Sequence, residues 1–518
     1  MSTPSASPEG ESLESVEDQD LTTHSEGRNP LLRLLLVAFG AVLTHGYHLG
    51  TDDAAIYVPA VKKAFDSRLY PFGADFFEHH GRLSIFSWLV AQTAKLGHVP
   101  VDLALFFWHI IGIFLMMLAA WRLATLCFKT NRARWCAVLL VAAVLTVPVA
   151  GTALVIMDPY LTARSLSTPA TMLAIASFLA KQKKATVAWL VLTALVHPQN
   201  AAYAAAFCGM LALPLRWFAV SEPMPAFALI ADRLPTGFDF QPSRGIYHDV
   251  LYMRTFFFAQ LWQWYEWLGV VAPMLILVWF SRLSARGTLP AFRQVSRALI
   301  PFGLLITIAF LTLCSTPRLE SFIRLQPMRG FLLVYILFFV LLGGLIGEYI
   351  LKDRVWLWIA LFLPLASSMF LVQRSAYDHS SHIEWPWAQP KNQWVEAFLW
   401  IRFNTPKDAV FALDPKYITL PAVDQHGFRA IAERSVLSDY YKDSGAVSLF
   451  PELADEWGDE QKAQQGWPAF TVTDFQRLAQ QYPVTWVVVR QPATPGLKCP
   501  YSNQAVSVCQ IPAVVLSN

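Results

Sequence analysis

Two adjacent carboxylates, Asp52 and Asp53, lie in the stretch "HGYHLGTDDAAIYVPAVKKAFDSRLYPFGADFFEHHGR", which also holds Asp66, Asp75, Glu78 and the histidines His45, His48, His79 and His80. A positioned carboxylate can serve as a general base. An aspartate at a helix start can equally cap free backbone N–H groups. Capping satisfies one of the pair, and two exceed what a cap needs. A second group is cationic. "STPRLESFIRLQPMRG" sets Arg318, Arg324 and Arg329 against the single acid Glu320, and arginine is suited to bidentate phosphate binding. A third stretch, "MDPYLTARSLS", carries Asp158 and Arg164, with a turn residue before Pro159 as the plainer reading of Asp158.

Further candidates are scattered. His197 falls in the apolar run "ALVHPQNAAY", where an ionisable group is a functional candidate by default, although a kink at Pro198 also gives His197 a structural job. Arg254 and Glu266, in an aromatic-belt stretch, together with His48, are candidates to face a polar cavity. His79 and His80 with Glu78, or His379 and His382 in "DHSSHIE", offer metal-ligand types at feasible spacing but in no established zinc pattern.

These groups must be held by a greasy chain. Its 518 residues are 55% hydrophobic and only 15% charged, against roughly 25% charged in soluble proteins. Apolar segments recur near 31–49, 101–127, 135–153, 164–180, 186–213, 268–281, 298–314, 329–347 and 355–373, so an α-helical polytopic membrane protein is expected. Nucleic acid is excluded as a partner: the net charge is only +3 and no basic run carries stacking aromatics. Every second connection is basic (Lys129, Arg132 and Arg134; Lys181, Lys183 and Lys184; Arg282, Arg286, Arg293 and Arg297; Lys352 and Arg354). The positive-inside rule then puts the amino terminus in the cytoplasm and the opening loop 50–82 outside. About nine crossings result, or about eleven if 186–219 splits at His197-Pro198 and one more crossing precedes Trp267.

Residues 1–29, rich in Ser, Pro and acids, read as a disordered cytoplasmic tail, 30–373 as the membrane domain and 374–518 as a small extracytoplasmic α/β domain. In that last unit "KNQWVEAFLWIRFNTP" and "FQRLAQQY" read as helices and "DAVFAL" and "TWVVVR" as buried strands. Cys499 and Cys509 suit a disulfide in an oxidising compartment, whereas Cys127, Cys136, Cys208 and Cys314 are expected only to pack. The segment after Asp53, with Tyr57, Val61, Phe65 and Leu69 at helical spacing, reads as an amphipathic helix in the membrane interface.

A first span, an outer loop opening with "GTDDAAIYVPAVKK", many further spans and an outer domain starting near "NTPKDAVFAL" together resemble the GT-C superfamily of integral-membrane glycosyltransferases. The resemblance implies a polyprenyl-phosphate-linked sugar as donor, an extracytoplasmic acceptor (lipid, glycan or protein), inverting transfer and a bacterial inner membrane. It implies Asp53 as base with Asp52 as alternate, and Arg318, Arg324, Arg329, Arg164 and Arg254 as candidates to bind the donor phosphate. Asp158 is a possible second acid, and Asp53 with Asp158 would hold a divalent cation, Mg or Mn, if one is used. The competing readings are a multi-pass transporter or flippase working through His197, Arg254 and Glu266, and a non-catalytic scaffold of the same fold.

Overall fold

The computed structural model describes residues 30–213, 242–283 and 285–512, so the expected cytoplasmic tail 1–29 lies outside the described residues. The chain opens with α1 (Pro30–His45), α2 (Ala54–Phe65), α3 (Asp75–Arg82), α4 (Phe86–Gly97), α5 (Val101–Cys127), α6 (Asn131–Ala143) and α7 (Ala163–Leu179). It continues with α8 (Lys183–Val196), α9 (Pro198–Ala212), α10 (Gly245–Tyr252), α11 (Trp264–Arg282), α12 (Pro290–Ser315), α13 (Phe331–Leu345) and α14 (Val355–Ala376). Among the described residues five helical stretches are long and apolar enough to cross a membrane: α5, α11, α12, the run 317–351 that contains α13, and α14. α13 is buried nearly all round, as a central helix of a bundle must be, whereas α14 is exposed along almost its whole length and presents its apolar side chains to lipid.

His197 and Pro198 break the long apolar run 186–213 in two. His197 is extended and Pro198 occupies the first turn of α9, where its missing N–H costs nothing. Both halves pack on α7. Near its start α9 gives the Tyr203 hydroxyl to the Gln326 carbonyl. Near its end Leu211 accepts from Gln294 at the opposite face, so α9 runs back across the bundle. This is the split alternative of the sequence reading. Its further crossing before Trp267 lies outside the described residues.

The 50–82 loop departs from expectation. α2 does not lie in the membrane interface: Ala54, Tyr57, Val58, Ala60, Val61 and even Lys62 are buried, because α4 packs on one side and the C-terminal domain closes over the other. That domain comprises α15 (Gln393–Asn404), α16 (Phe428–Ala432), α17 (Lys442–Leu449), α18 (Ala454–Ala463), α19 (Val472–Gln481) and strands β1 (Val410–Leu413), β2 (Ser435–Val436), β3 (Trp486–Arg490), β4 (Lys498–Ser502) and β5 (Val506–Gln510). The sheet order is β2-β1-β3-β5-β4. β1 runs parallel to β2 and β3, and β5 is antiparallel to β3 and β4. One sheet face meets α15, α16 and the first loop, and the other meets Phe475 and Leu478 of α19. Cys499 and Cys509 are disulfide-bonded between β4 and β5, while Cys127, Cys136 and Cys208 are buried free thiols and Cys314 a half-buried one.

The two halves are joined through a buried ionic ring. Lys62 of α2, only 1% exposed, lies 2.8 Å from Asp102 of α5 and 2.9 Å from Glu433. Arg402 of α15 closes the ring at 2.7 Å from Asp102 and 2.8 Å from Glu433. Two cations against two carboxylates balance, and each group is desolvated only in company. Removing one partner of a buried pair leaves an uncompensated charge at a cost of about 3–5 kcal/mol. Lys62→Met is therefore expected to lower the unfolding temperature of the purified protein, and Lys62→Met with Glu433→Gln to recover much of the loss. Equal melting of the parent and Lys62→Met would contradict the account.

Inside the C-terminal domain Glu460, 1% exposed, accepts the Ser438 N–H at 2.6 Å through one oxygen while the other has no hydrogen-bond partner. Burial pushes its carboxyl up to about 7, above the roughly 4.3 of an unfolded chain. Folding thus favours the protonated acid, so its contribution is whole below about 4.3 and is lost as pH rises through about 7. Thermal unfolding is expected to shift downward between pH 5 and pH 8, and Glu460→Gln to flatten that slope; an unchanged slope would refute the assignment.

Candidate functional site

Asp52 and Asp53 sit at the turn between α1 and α2. Asp52 adopts a left-handed backbone, φ 50°, a conformation aspartate tolerates better than most residues, and its N–H donates to the Gln425 carbonyl at 3.0 Å. Asp53 occupies the N-cap position of α2 with helical dihedrals and no side-chain cap bond. Neither carboxylate is spent on the helix, and both turn toward cations. Asp53 lies 3.0 Å from Arg164 and 3.5 Å from Lys442. Asp52 pairs with Lys442 and accepts the Tyr160 hydroxyl at 2.9 Å.

Each cation is itself positioned. Arg164 is the second residue of α7, whose start is fixed by a Thr162–Ser165 capping box, and its Nη2 bridges Asp53 and Asp158, the latter at 2.9 Å. Lys442 is the first residue of α17, and the Asp439 carboxylate accepts the backbone N–H groups of Tyr441 and Lys442 at 2.8 and 2.5 Å. Arg254 donates to the Tyr441 carbonyl and, at 2.6 Å, to Ser444 Oγ. Arg329 acts on Asp53 through its charge. Among the described residues no carboxylate pairs with Arg254 or Arg329, and the Nε of each is buried without a partner.

Burial alone would raise the Asp53 carboxyl, but the Lys442 ammonium and the Arg164 and Arg329 guanidiniums hold it well below the usual carboxylate range. Asp158, buried and beside Asp53 and Asp52, is pushed up despite Arg164. Lys442, Tyr441 and Arg254 form one wall of a cavity of about 550 Å³ whose other wall holds Asp378, Asp424 and Gln425, within the usual range of about 300–1,000 Å³ for ligand sites. The Arg164 guanidinium takes one oxygen from each of Asp53 and Asp158.

The other sequence candidates separate. Arg318 and Arg324 are exposed, with Arg324 donating to the Leu449 carbonyl, and neither reaches the Asp53 group. His197 accepts the Asn200 N–H as the N-cap of α9, and Glu266 accepts the Gln263 N–H in the capping box of α11. His48 is buried, stacked on Tyr377 at 3.7 Å and 3.6 Å from Glu384. Glu78 pairs with Lys63 and Arg82, His79 Nδ1 donates to the Asp75 carbonyl, and His80 packs edge-on to Tyr57, so these three form no ligand set. His382 bonds the Leu43 carbonyl, apart from His379. Lys442 and Tyr160 had no signal in the sequence beyond the Asp439–Lys442 spacing that marks a helix start.

Residues 392–444, from the start of α15 to the first turn of α17, match a domain of unknown function, DUF6798. No curated protein matches the chain in sequence. In fold, it is similar to the arabinofuranosyltransferase AftD from Mycobacteria, at 13% identity and TM-score 0.43 over 93% of this chain, which spans 39% of that protein. It is also similar to ArnT from Cupriavidus metallidurans, at 13% identity and TM-score 0.35 for the apo state, over 93% of this chain and 97% of ArnT. For ArnT bound to undecaprenyl phosphate the values are 14% and 0.38, over 94% of this chain and 98% of ArnT.

Proposed function

We propose that this multi-pass membrane protein is a glycosyltransferase that moves a sugar from a polyprenyl-phosphate donor to an extracytoplasmic acceptor. The observation that carries this reading is a pair of half-buried guanidiniums, Arg254 and Arg329, which make no carboxylate ion pair among the described residues, keep an enclosed Nε without a partner and act through their charge on the ionised Asp53. A cationic pocket with spare donors suits a phosphate, and a carboxylate at its edge suits proton removal from an attacking hydroxyl.

The chemistry is a displacement at the anomeric carbon. The acceptor oxygen bonds to that carbon, the carbon–oxygen bond to the lipid phosphate breaks, and Asp53 takes the acceptor proton. Lys442, Arg329 and Arg254 stabilise the negative charge that grows on the departing phosphate. With Lys442 and Arg164 at its side, Asp53 is a weak base. A donor phosphate that draws Lys442 away restores its basicity, so the base is armed only when the donor is bound. Asp52 serves mainly to hold Lys442 and Tyr160. Arg329 is reached through two clefts, of about 20 and about 10 Å³, room for a water but not for a polyprenyl chain. Donor entry in this reading displaces the 3-10 segments of 317–330. The C-terminal domain, on the side of the opening loop, is placed in the periplasm by this reading.

Membranes of native-host cells carrying the parent protein, Asp53→Asn or Asp52→Asn at equal abundance test it, with polyprenyl-phosphate sugars measured by mass spectrometry. Loss of a general base lowers turnover by about 10²–10⁴-fold, so one lipid-linked sugar is expected to build up with Asp53→Asn and to a smaller extent with Asp52→Asn. No change in any such lipid with either variant would sink the transferase reading.

A further inference from the structure

Where α14 leaves the bundle, Asp378 and His379 meet Asp424, which the C-terminal domain supplies between β1 and α16. Donor atoms of the three lie within 4.8 Å of one another. His379 Nδ1 is 2.5 Å from Asp378 and 3.6 Å from Asp424 Oδ1. We propose that these residues form a divalent transition-metal site, of zinc character, which ties the exit of α14 to the loop that holds Asp52.

The observation that points to a cation is the state of Asp424. Its side chain is only 2% exposed, yet among the described residues no lysine or arginine pairs with it. Among the described residues its one close hydrogen bond is from Ser380 Oγ to Oδ2, at 2.6 Å, and Oδ1 lies 3.6 Å from the His379 imidazole. A buried carboxylate needs a positive partner, and the nearby Arg374 is committed to the carbonyls of Tyr377 and Ser380. Asp424 and Gln425 are also both left-handed, φ 50° and 60°, so two non-glycine residues in succession hold a conformation that costs energy. This backbone aims the carboxylate inward.

One imidazole and two carboxylates suit zinc, with bonds of about 2.0–2.2 Å. Ligand atoms on a tetrahedral ion then sit about 3.4 Å apart. Asp424 and His379 are near that spacing, and Asp378, 63% exposed, is free to adjust. Three protein ligands leave an open position, which faces the cavity that Asp378 and Asp424 line. The site also reaches the Asp52 turn. The Gln425 carbonyl accepts the Asp52 N–H, Gly427 donates to the Gly50 carbonyl at 2.9 Å, and Thr51 bridges His426. A metal there fixes the loop against the membrane helix, and the loop fixes the backbone of Asp52.

The full chain, purified in detergent, stripped with chelator and given one equivalent of zinc chloride, is desalted and assayed for bound zinc and for its unfolding temperature. The parent protein and a His382→Gln control are expected to keep about one zinc per chain and to melt higher with zinc than without. His379→Gln, at a half-exposed position that tolerates change, and Asp424→Asn are expected to lose both properties. Zinc retention by His379→Gln equal to that of the parent, or no retained zinc in the parent, would overturn the proposal.

Discussion

The Asp53 carboxylate is held between a guanidinium from the helix bundle and an ammonium from the C-terminal domain. Arg164 and Lys442 are far apart in the chain, and neither could approach the other without an anion between them. Much of the architecture follows from keeping that arrangement. α2 is buried so that its start is immobile, the Lys62–Asp102–Arg402–Glu433 ring presses the domain onto it, and the 424–427 loop hydrogen-bonds the turn that presents both aspartates. Each of these contacts joins the 50–82 loop to a later part of the chain.

The charge inventory explains why such a site can be both stable and reactive. Asp52, Asp53 and Asp158 share Lys442 and Arg164, while Arg254 and Arg329 add charge without an ion pair to any carboxylate among the described residues. In the resting protein the carboxylates are stabilised and weakly basic. An anion that competes for the cations both fills the unanswered charge and frees the base. Binding and activation are then one electrostatic event, which the proposed function needs and which a merely structural salt-bridge cluster does not.

Much of this was legible in the sequence because the bilayer and backbone hydrogen bonding constrain it locally. Apolar runs gave the helices, Pro198 gave the break before α9, and β1, β3, α15 and α19 followed from short buried runs with clear stops. The Cys499–Cys509 bond followed from there being just two cysteines in the C-terminal domain. The doublet Asp52-Asp53, Arg164, Asp158, Arg254 and Arg329 were all marked by residue type. What local pattern could not supply was assembly. Lys62 belongs to a segment expected to lie in the membrane interface and is instead buried, because its partners lie at 102 and 433. Lys442 carried no mark of its role, and Arg318 and Arg324 stood beside Arg329 as phosphate candidates although both are exposed and Arg329 is half-buried with its Nε enclosed. Long-range pairing decides each of these, and a period of 2 or 3.6 residues carries no record of it.

The central claim is that Asp53 competes with a lipid phosphate for the same cations. It is tested most directly by the equilibrium binding of undecaprenyl phosphate to the purified protein and to its Asp53→Asn and Arg329→Gln variants at one ionic strength. The account predicts that Asp53→Asn, with one internal anion removed, binds the lipid phosphate more tightly than the parent, by roughly the 5–150-fold typical of a coupling of 1–3 kcal/mol, and that Arg329→Gln binds it more weakly. Equal or weaker binding by Asp53→Asn, or undiminished binding by Arg329→Gln, would contradict it.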